Sequence, residues 1–111
     1  MKSREQLVDR ALREIAVLGA GQKASAEDAK AVDDEVGPVL SDLARRNVYS
    51  YGDPDRIEDE HYTHLAIILG NAVAPQFGLP QDEAKRLYAE TRLRELRSVR
   101  DAGDPIRAMY F

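Results

Sequence analysis

Apolar residues recur three and four positions apart in four separate stretches, and this spacing limits the folds open to the chain more than any other feature. In the first stretch Leu7, Ala11, Leu12, Ile15 and Leu18 fall on one side of a helix. Ser3 with Gln6 three residues later has the form of a capping box, which satisfies two orphan backbone donors and predicts a helix start at Ser3. Gly19 and Gly21 predict its end. The second stretch carries Ala29, Val32, Val36, Val39, Leu40 and Leu43 to about Arg46, with Ser25 as its N-cap and Glu27 and Asp28 facing the positive helix end. Gly37-Pro38 interrupts this stretch at a cost of about 3 kcal/mol for an interior proline. The stripe keeps its phase across the proline, which predicts one kinked helix rather than two short ones.

The third stretch runs from Glu58 to Phe77 and is the most apolar, through Ile57, Tyr62, Leu65, Ile68, Leu69, Ala72 and Val73, so it is expected at the centre of the bundle. Ala66, Gly70 and Ala74 form a line of small residues that lets another backbone approach closely. Pro75 and Gly78 close it, and Pro80 suits the first position of a fourth helix, where its missing N–H costs nothing. That helix is expected to run to about Arg100, with Ala84, Leu87, Tyr88, Thr91 and Leu96 as its apolar side. Between helices two and three, residues 47–57 read as a loop. Val48, Tyr49 and Tyr51 have strand-like chemistry and Gly52-Asp53-Pro54-Asp55 is turn chemistry. An aromatic arm there suggests a contact surface. The reading is an all-α four-helix bundle over residues 1–100, with a long loop between helices two and three and an extended C-terminal tail over 101–111, begun by Gly103 and Pro105.

Composition removes several classes of function. The 111 residues contain no Cys, so no disulfide framework or thiolate chemistry exists. The N-terminal Met1-Lys2-Ser3-Arg4-Glu5 runs into a charged amphipathic pattern and is not expected to act as a secretory signal, and no run approaches the roughly 18 apolar residues of a bilayer span. The net charge of −4 argues against nonspecific nucleic-acid binding. Its distribution is uneven. Residues 26–60 hold eleven acids against four bases, and residues 85–107 hold seven bases against four acids. One reading is two solvated helix faces. The other is a head-to-tail contact between identical subunits, with Asp33, Asp34, Glu35 and Asp42 set against Arg92, Arg94, Arg97 and Arg100 of a neighbour.

No constellation has enough members for catalysis. His61 and His64, preceded by Glu60, could turn two imidazoles to one side of helix three, but a metal site needs more ligands and a second shell, so no metal or other cofactor is expected. Gly19-Ala20-Gly21 lacks the Lys-Ser/Thr of a phosphate loop. The acid clusters Asp33-Asp34-Glu35 and Glu58-Asp59-Glu60 are crowded at helix starts and are expected to be solvated, whereas acid–base chemistry needs a pocket that splits the pKa values. The chain is therefore not expected to be an enzyme. The C-terminal peptide Pro105, Ile106, Arg107, Ala108, Met109, Tyr110 and Phe111 is too apolar for an ordinary frayed end. Burying Ile106, Tyr110 and Phe111 removes roughly 400–500 Å² from water, or ~10 kcal/mol gross. Ordering the segment costs ~1–2 kcal/mol per residue, so one such peptide docks weakly and many on one assembly dock well.

The run Leu12-Arg13-Glu14-Ile15-Ala16-Val17-Leu18-Gly19-Ala20-Gly21-Gln22 with Ser25-Ala26-Glu27-Asp28-Ala29, the Ala74-Pro75-Gln76-Phe77-Gly78-Leu79 turn and the closing Arg107-Ala108-Met109-Tyr110-Phe111 resemble the head–tail connector (adaptor) proteins of tailed bacteriophages and gene-transfer-agent-like particles. The resemblance spans nearly the whole chain, and Gly37-Pro38 departs from the family's pattern, which has a bulkier residue before the proline. It implies a connector-type helical bundle forming a ring, usually a dodecamer, beneath the portal protein at the head–tail junction of a virion, assembled in the host cytoplasm. Its implied partners are its own copies, the portal and the tail or nozzle proteins, with DNA passing through the channel unread. Residues 105–111 would dock on the portal, and Val48, Tyr49 and Tyr51 would face a subunit or the tail. The alternative from the residues is a helical regulatory or antitoxin-like module that binds one protein partner, and a third is a small metalloprotein at His61 and His64.

Overall fold

The computed structural model describes residues 1–19, 21–50 and 52–109, with the side chains of 98–109 outside that description. The fold is all-α: α1 Arg4–Glu14, α2 Ala26–Arg45, α3 Asp59–Val73 continued by a 3-10 turn at Ala74–Phe77, and α4 Glu83–Met109. Ser3 caps α1 through the expected box. Its hydroxyl accepts from the Gln6 amide at 3.2 Å, and the Gln6 side chain accepts from the Ser3 amide at 2.8 Å. Ser25 caps α2, accepting from the Asp28 amide at 3.2 Å. α2 is a single helix through Pro38.

Two helices end by the same device, and neither uses glycine. α1 stops at Glu14, earlier than the expected Leu18, because Ala16 takes the left-handed conformation with φ 62°. The Val17 amide then donates to the Leu12 carbonyl at 2.9 Å and the Ala16 amide to Arg13 at 3.0 Å. α2 ends likewise at Asn47, φ 58°, with Val48 donating to Leu43 at 2.9 Å and Asn47 to Ala44 at 3.1 Å. This is the Schellman arrangement, and it turns the residue after the left-handed one back onto the helix. Val48, in that position, is fully buried in the same core cluster as Leu43.

α3 lies at the centre, as its composition predicts, and packs on α1, α2 and α4, while α1 also packs on α2. Its Leu65, Ala66, Ile68, Leu69 and Val73 are buried, whereas Ala72 is exposed. The core joins these residues to Leu7, Leu12, Val32, Val36, Leu40, Leu43, Ile57 and Leu93. The small-residue line matters at Gly70, where an added Cβ would lie 2.8 Å from the Ala11 carbonyl oxygen of α1. The loop of residues 47–57 forms no strand among its described residues and is fastened at its far end. Lys2 and Ile57 exchange two backbone hydrogen bonds, at 2.7 and 2.8 Å.

α4 differs from expectation at both ends. Pro80 is not its first residue. The N-cap role falls to Asp82, whose carboxylate accepts from the Lys85 amide at 3.1 Å. Buried Asn71 of α3 holds the turn, accepting from the Asp82 amide at 2.6 Å, while Gln81 donates to the Asn71 carbonyl at 3.1 Å. At the other end the backbone is helical to Met109, so Gly103 and Pro105 do not begin an extended tail at residue 101. Extending an existing helix is far easier than starting one, and the flanking Ala102, Arg107 and Ala108 are good helix formers.

Gly70→Ala is expected to destabilise the fold by about 1–3 kcal/mol, since the new methyl meets backbone rather than a side chain that can move. Chemical denaturation followed by circular dichroism checks this, and an unchanged midpoint would refute the close α1–α3 approach.

Candidate interaction surface and side-chain clusters

The expected apolar side of α4 faces solvent. Leu87 is 52% and Tyr88 61% exposed, and Ala84 and Thr91 are exposed beside them. Only Leu96 of the expected set is partly buried. The side packed inward carries Ala89, Glu90 and Leu93. The correction has an electrostatic cause. Glu90 is 1% exposed, a position a carboxylate tolerates only when paired and hydrogen-bonded. Arg46, from the last turn of α2, meets it with two nitrogens at 2.9 and 3.0 Å, and Arg86, one turn earlier on α4, also donates to it. Arg46 is held in turn by Asp42 at 2.9 Å, and Arg86 by Glu83 at 2.6 Å. Burial alone would push the Glu90 carboxyl up, but the hydrogen bonds from Arg46 and Arg86 outweigh it and hold the pKa below the ordinary glutamate range. Arg46 is shifted upward, chiefly by its bond to Glu90.

Most charged residues assigned to subunit contacts have partners within the chain. Arg4 donates to Asp33 at 2.6 Å, Lys30 pairs with Asp34 at 3.2 Å, and Arg45 donates to Asp42 at 2.8 Å. Arg92 donates to Glu95 at 2.6 Å, Arg94 lies 4.0 Å from Glu90, and Arg97 donates to the Asn47 carbonyl at 2.8 Å. Glu35 is half-buried on α2. Exposed pairs of this kind contribute at most about 1 kcal/mol each, so they exchange readily for other partners. Arg100 and the tail side chains Pro105, Ile106, Arg107, Ala108 and Met109 lie outside the described side chains, and Tyr51, Tyr110 and Phe111 lie outside the described residues.

The loop contact surface needs a second correction. Val48 is a core residue with no exposed area, placed there by the helix ending at Asn47. Tyr49 is partly buried and packs edge-on against His61, ring centres 5.1 Å apart. His61 and His64 pack against different neighbours. His64 packs edge-on against Tyr88 at 6.5 Å, and burial, with Arg92 and His61 nearby, holds it below the usual imidazole range. His61 instead joins Glu58 and Glu60, with one donor atom from each lying within 4.8 Å of the others. Sequence reasoning named Glu60 and His61 and missed Glu58 as a third donor. It is the N-cap residue of α3, and its i,i+3 spacing to His61 was a readable signal. Glu90 was less accessible to such reasoning. Arginines at 86 and 94 flank it at four-residue spacing, but its burial depends on Arg46, which is distant in sequence.

No helix among the described residues is long and apolar enough to cross a membrane. Comparison with known families, curated proteins and solved structures finds no match for the chain.

The sign of the Glu90 shift sets an acid response. A carboxyl whose folded pKa is depressed contributes stability above its unfolded pKa and loses that contribution as pH falls through the folded value. Glu90→Gln is therefore expected to destabilise the protein at neutral pH and to flatten the loss of stability below about pH 4.3, the ordinary glutamate value. Arg46→Met, which removes two of the three hydrogen bonds to the carboxylate and leaves it to Arg86, is expected to cost about 1–3 kcal/mol at neutral pH. Thermal melts of both variants against pH would check the pair.

Proposed function

We propose that the chain is an assembly subunit, a head–tail connector that forms a ring beneath a portal and joins a DNA-filled capsid to its tail. The observation that carries self-association is the solvent-facing stripe Ala84, Leu87, Tyr88 and Thr91 on α4. Those positions follow the i, i+3, i+4, i+7 spacing that normally marks a buried helix face. On this reading a neighbouring copy covers the stripe. The flanking bases Lys85, Arg92 and Arg94 meet acids of the neighbour's α2, with Glu27 and Asp34 exposed there. The identity of the assembly rests on the resemblance to connectors, and portal docking is assigned to residues 105–111. The negative net charge suits a channel wall that DNA must pass without being held.

Native mass spectrometry and light scattering provide the test. The full chain is expected to form a closed oligomer that weakens as salt rises, and Leu87→Glu with Tyr88→Glu is expected to release helical monomers. A wild-type chain that stays monomeric at high concentration, alone and with a portal ring, would overturn the reading. A chain lacking residues 101–111 should keep its helical circular dichroism and lose binding to the portal ring, and undiminished binding would remove the docking role of that segment.

A further inference from the structure

Two surfaces of the chain are incomplete in complementary ways. One is the α4 stripe, where Leu87 and Tyr88 face solvent with the bases Lys85, Arg92 and Arg94 beside them. The other is a groove of about 550 Å³ between the first halves of α1 and α2, bordered by Asp55 of the α2–α3 loop. Val8, Ala24 and Ala29 form the apolar part of its lining, and they belong to the core or pack against it. The charges of the groove are unevenly used. Arg4 is paired with Asp33 at 2.6 Å and Lys30 with Asp34 at 3.2 Å. Glu5, Asp9 and Asp55 make no ion pair among the described residues, and Lys23 is the one lining base in the same condition. The groove therefore presents small apolar side chains beneath an excess of unpaired carboxylates, and the stripe presents large apolar side chains among bases.

We propose, on the reading that copies of the chain associate through α4, that the groove between α1 and α2 receives the α4 stripe of a second copy. Leu87 and Tyr88 enter over Val8, Ala24 and Ala29, and the flanking bases reach Glu5, Asp9 and Asp55. The bases are free to do so, because the exposed pairs they make within the chain contribute at most about 1 kcal/mol each. Two other arrangements fit the charges less well. A groove of about 390 Å³ between α2 and α4 is also lined by carboxylates, but Arg46 and Arg86 already hold Asp42, Glu83 and Glu90 there. Pairing stripe on stripe about a two-fold axis would gather Lys85, Arg92 and Arg94 of both copies at one interface, where like charges oppose association. The stripe and the α1–α2 groove share no residue, so each copy in a pair keeps one of the two open. The contact is heterologous and repeats head to tail, which generates a ring where the rotation closes.

The chain contains no Cys, so introduced cysteines report the contact without background. Ala84→Cys marks the stripe and Lys23→Cys the groove, both at exposed positions. The two full-length variants are mixed in equal amounts, light scattering establishes that the mixture is associated, and a short bismaleimide is added. Most of the cross-linked product is expected to contain one chain of each variant, and each variant alone is expected to cross-link little. Glu5→Lys combined with Asp9→Lys is expected to weaken association about tenfold or more at low salt while helical circular dichroism is kept. The cross-linking arm keeps the test open should that variant fail to fold. Three results would overturn the proposal and leave self-association standing. They are Ala84→Cys cross-linking to itself as readily as to Lys23→Cys, an associated mixture that yields no mixed product, and a folded charge-reversed variant that associates like the wild type. A wild-type chain that does not associate at all would remove the self-association reading and the groove assignment together.

Discussion

The arrangement of α4 depends on one buried carboxylate. Glu90 sits at a buried position where an unpaired charge would be prohibitive, and Arg46 and Arg86 make the position tenable with three hydrogen bonds. Because Arg46 caps the C-terminal end of α2, the interaction also determines how α4 is rotated about its axis. With Glu90 inward, Ala89 and Leu93 enter the core and the large side chains of Leu87 and Tyr88 are left outside. A rotation that buried Leu87 and Tyr88 would expose Glu90 and leave the Arg46 guanidinium to Asp42 alone. The folded chain therefore holds its charge network at the expense of an apolar stripe, and that stripe is what a partner would cover.

The remaining helices are positioned by shorter-range means. Gly70 allows the α1 backbone to lie against α3 closer than any side chain permits. Asn71, the next residue, reaches the other way and ties down the turn into α4 through its side-chain oxygen and its carbonyl. One turn of α3 thus sets the distance to α1 and the entry of α4. The loop between α2 and α3 is restrained at both ends, by the left-handed Asn47 that sends Val48 into the core and by the backbone pairing of Ile57 with Lys2.

The caps of α1 and α2, the central place of α3 and the close approach at Gly70 are readable from the sequence, because each depends on residues within a turn of one another or on bulk apolar content. The helix ends at Ala16 and Asn47 are less so. Neither is glycine: the left-handed Asn47 returns Val48 to the core, and the left-handed Ala16 returns Val17 to the edge of the core. The cluster of Glu58, Glu60 and His61 stands between these cases. Glu60 and His61 are adjacent and Glu58 is one helical turn from His61, but the burial that leaves Nδ1 without a hydrogen bond comes from packing around the helix start.

The sequence by itself determined the number of helices, their order, two of their caps and the uneven division of charge, since these follow from local spacing and from side-chain chemistry within a few residues. Only the tertiary structure decided which side of α4 is inside and that Val48 belongs to the core. Each of those outcomes turns on a competition between burying apolar area and pairing a charge or a backbone group. For α4 the deciding partner of Glu90 is Arg46, forty-four residues away along the chain, and for Val48 it is the Leu43 carbonyl at the end of α2.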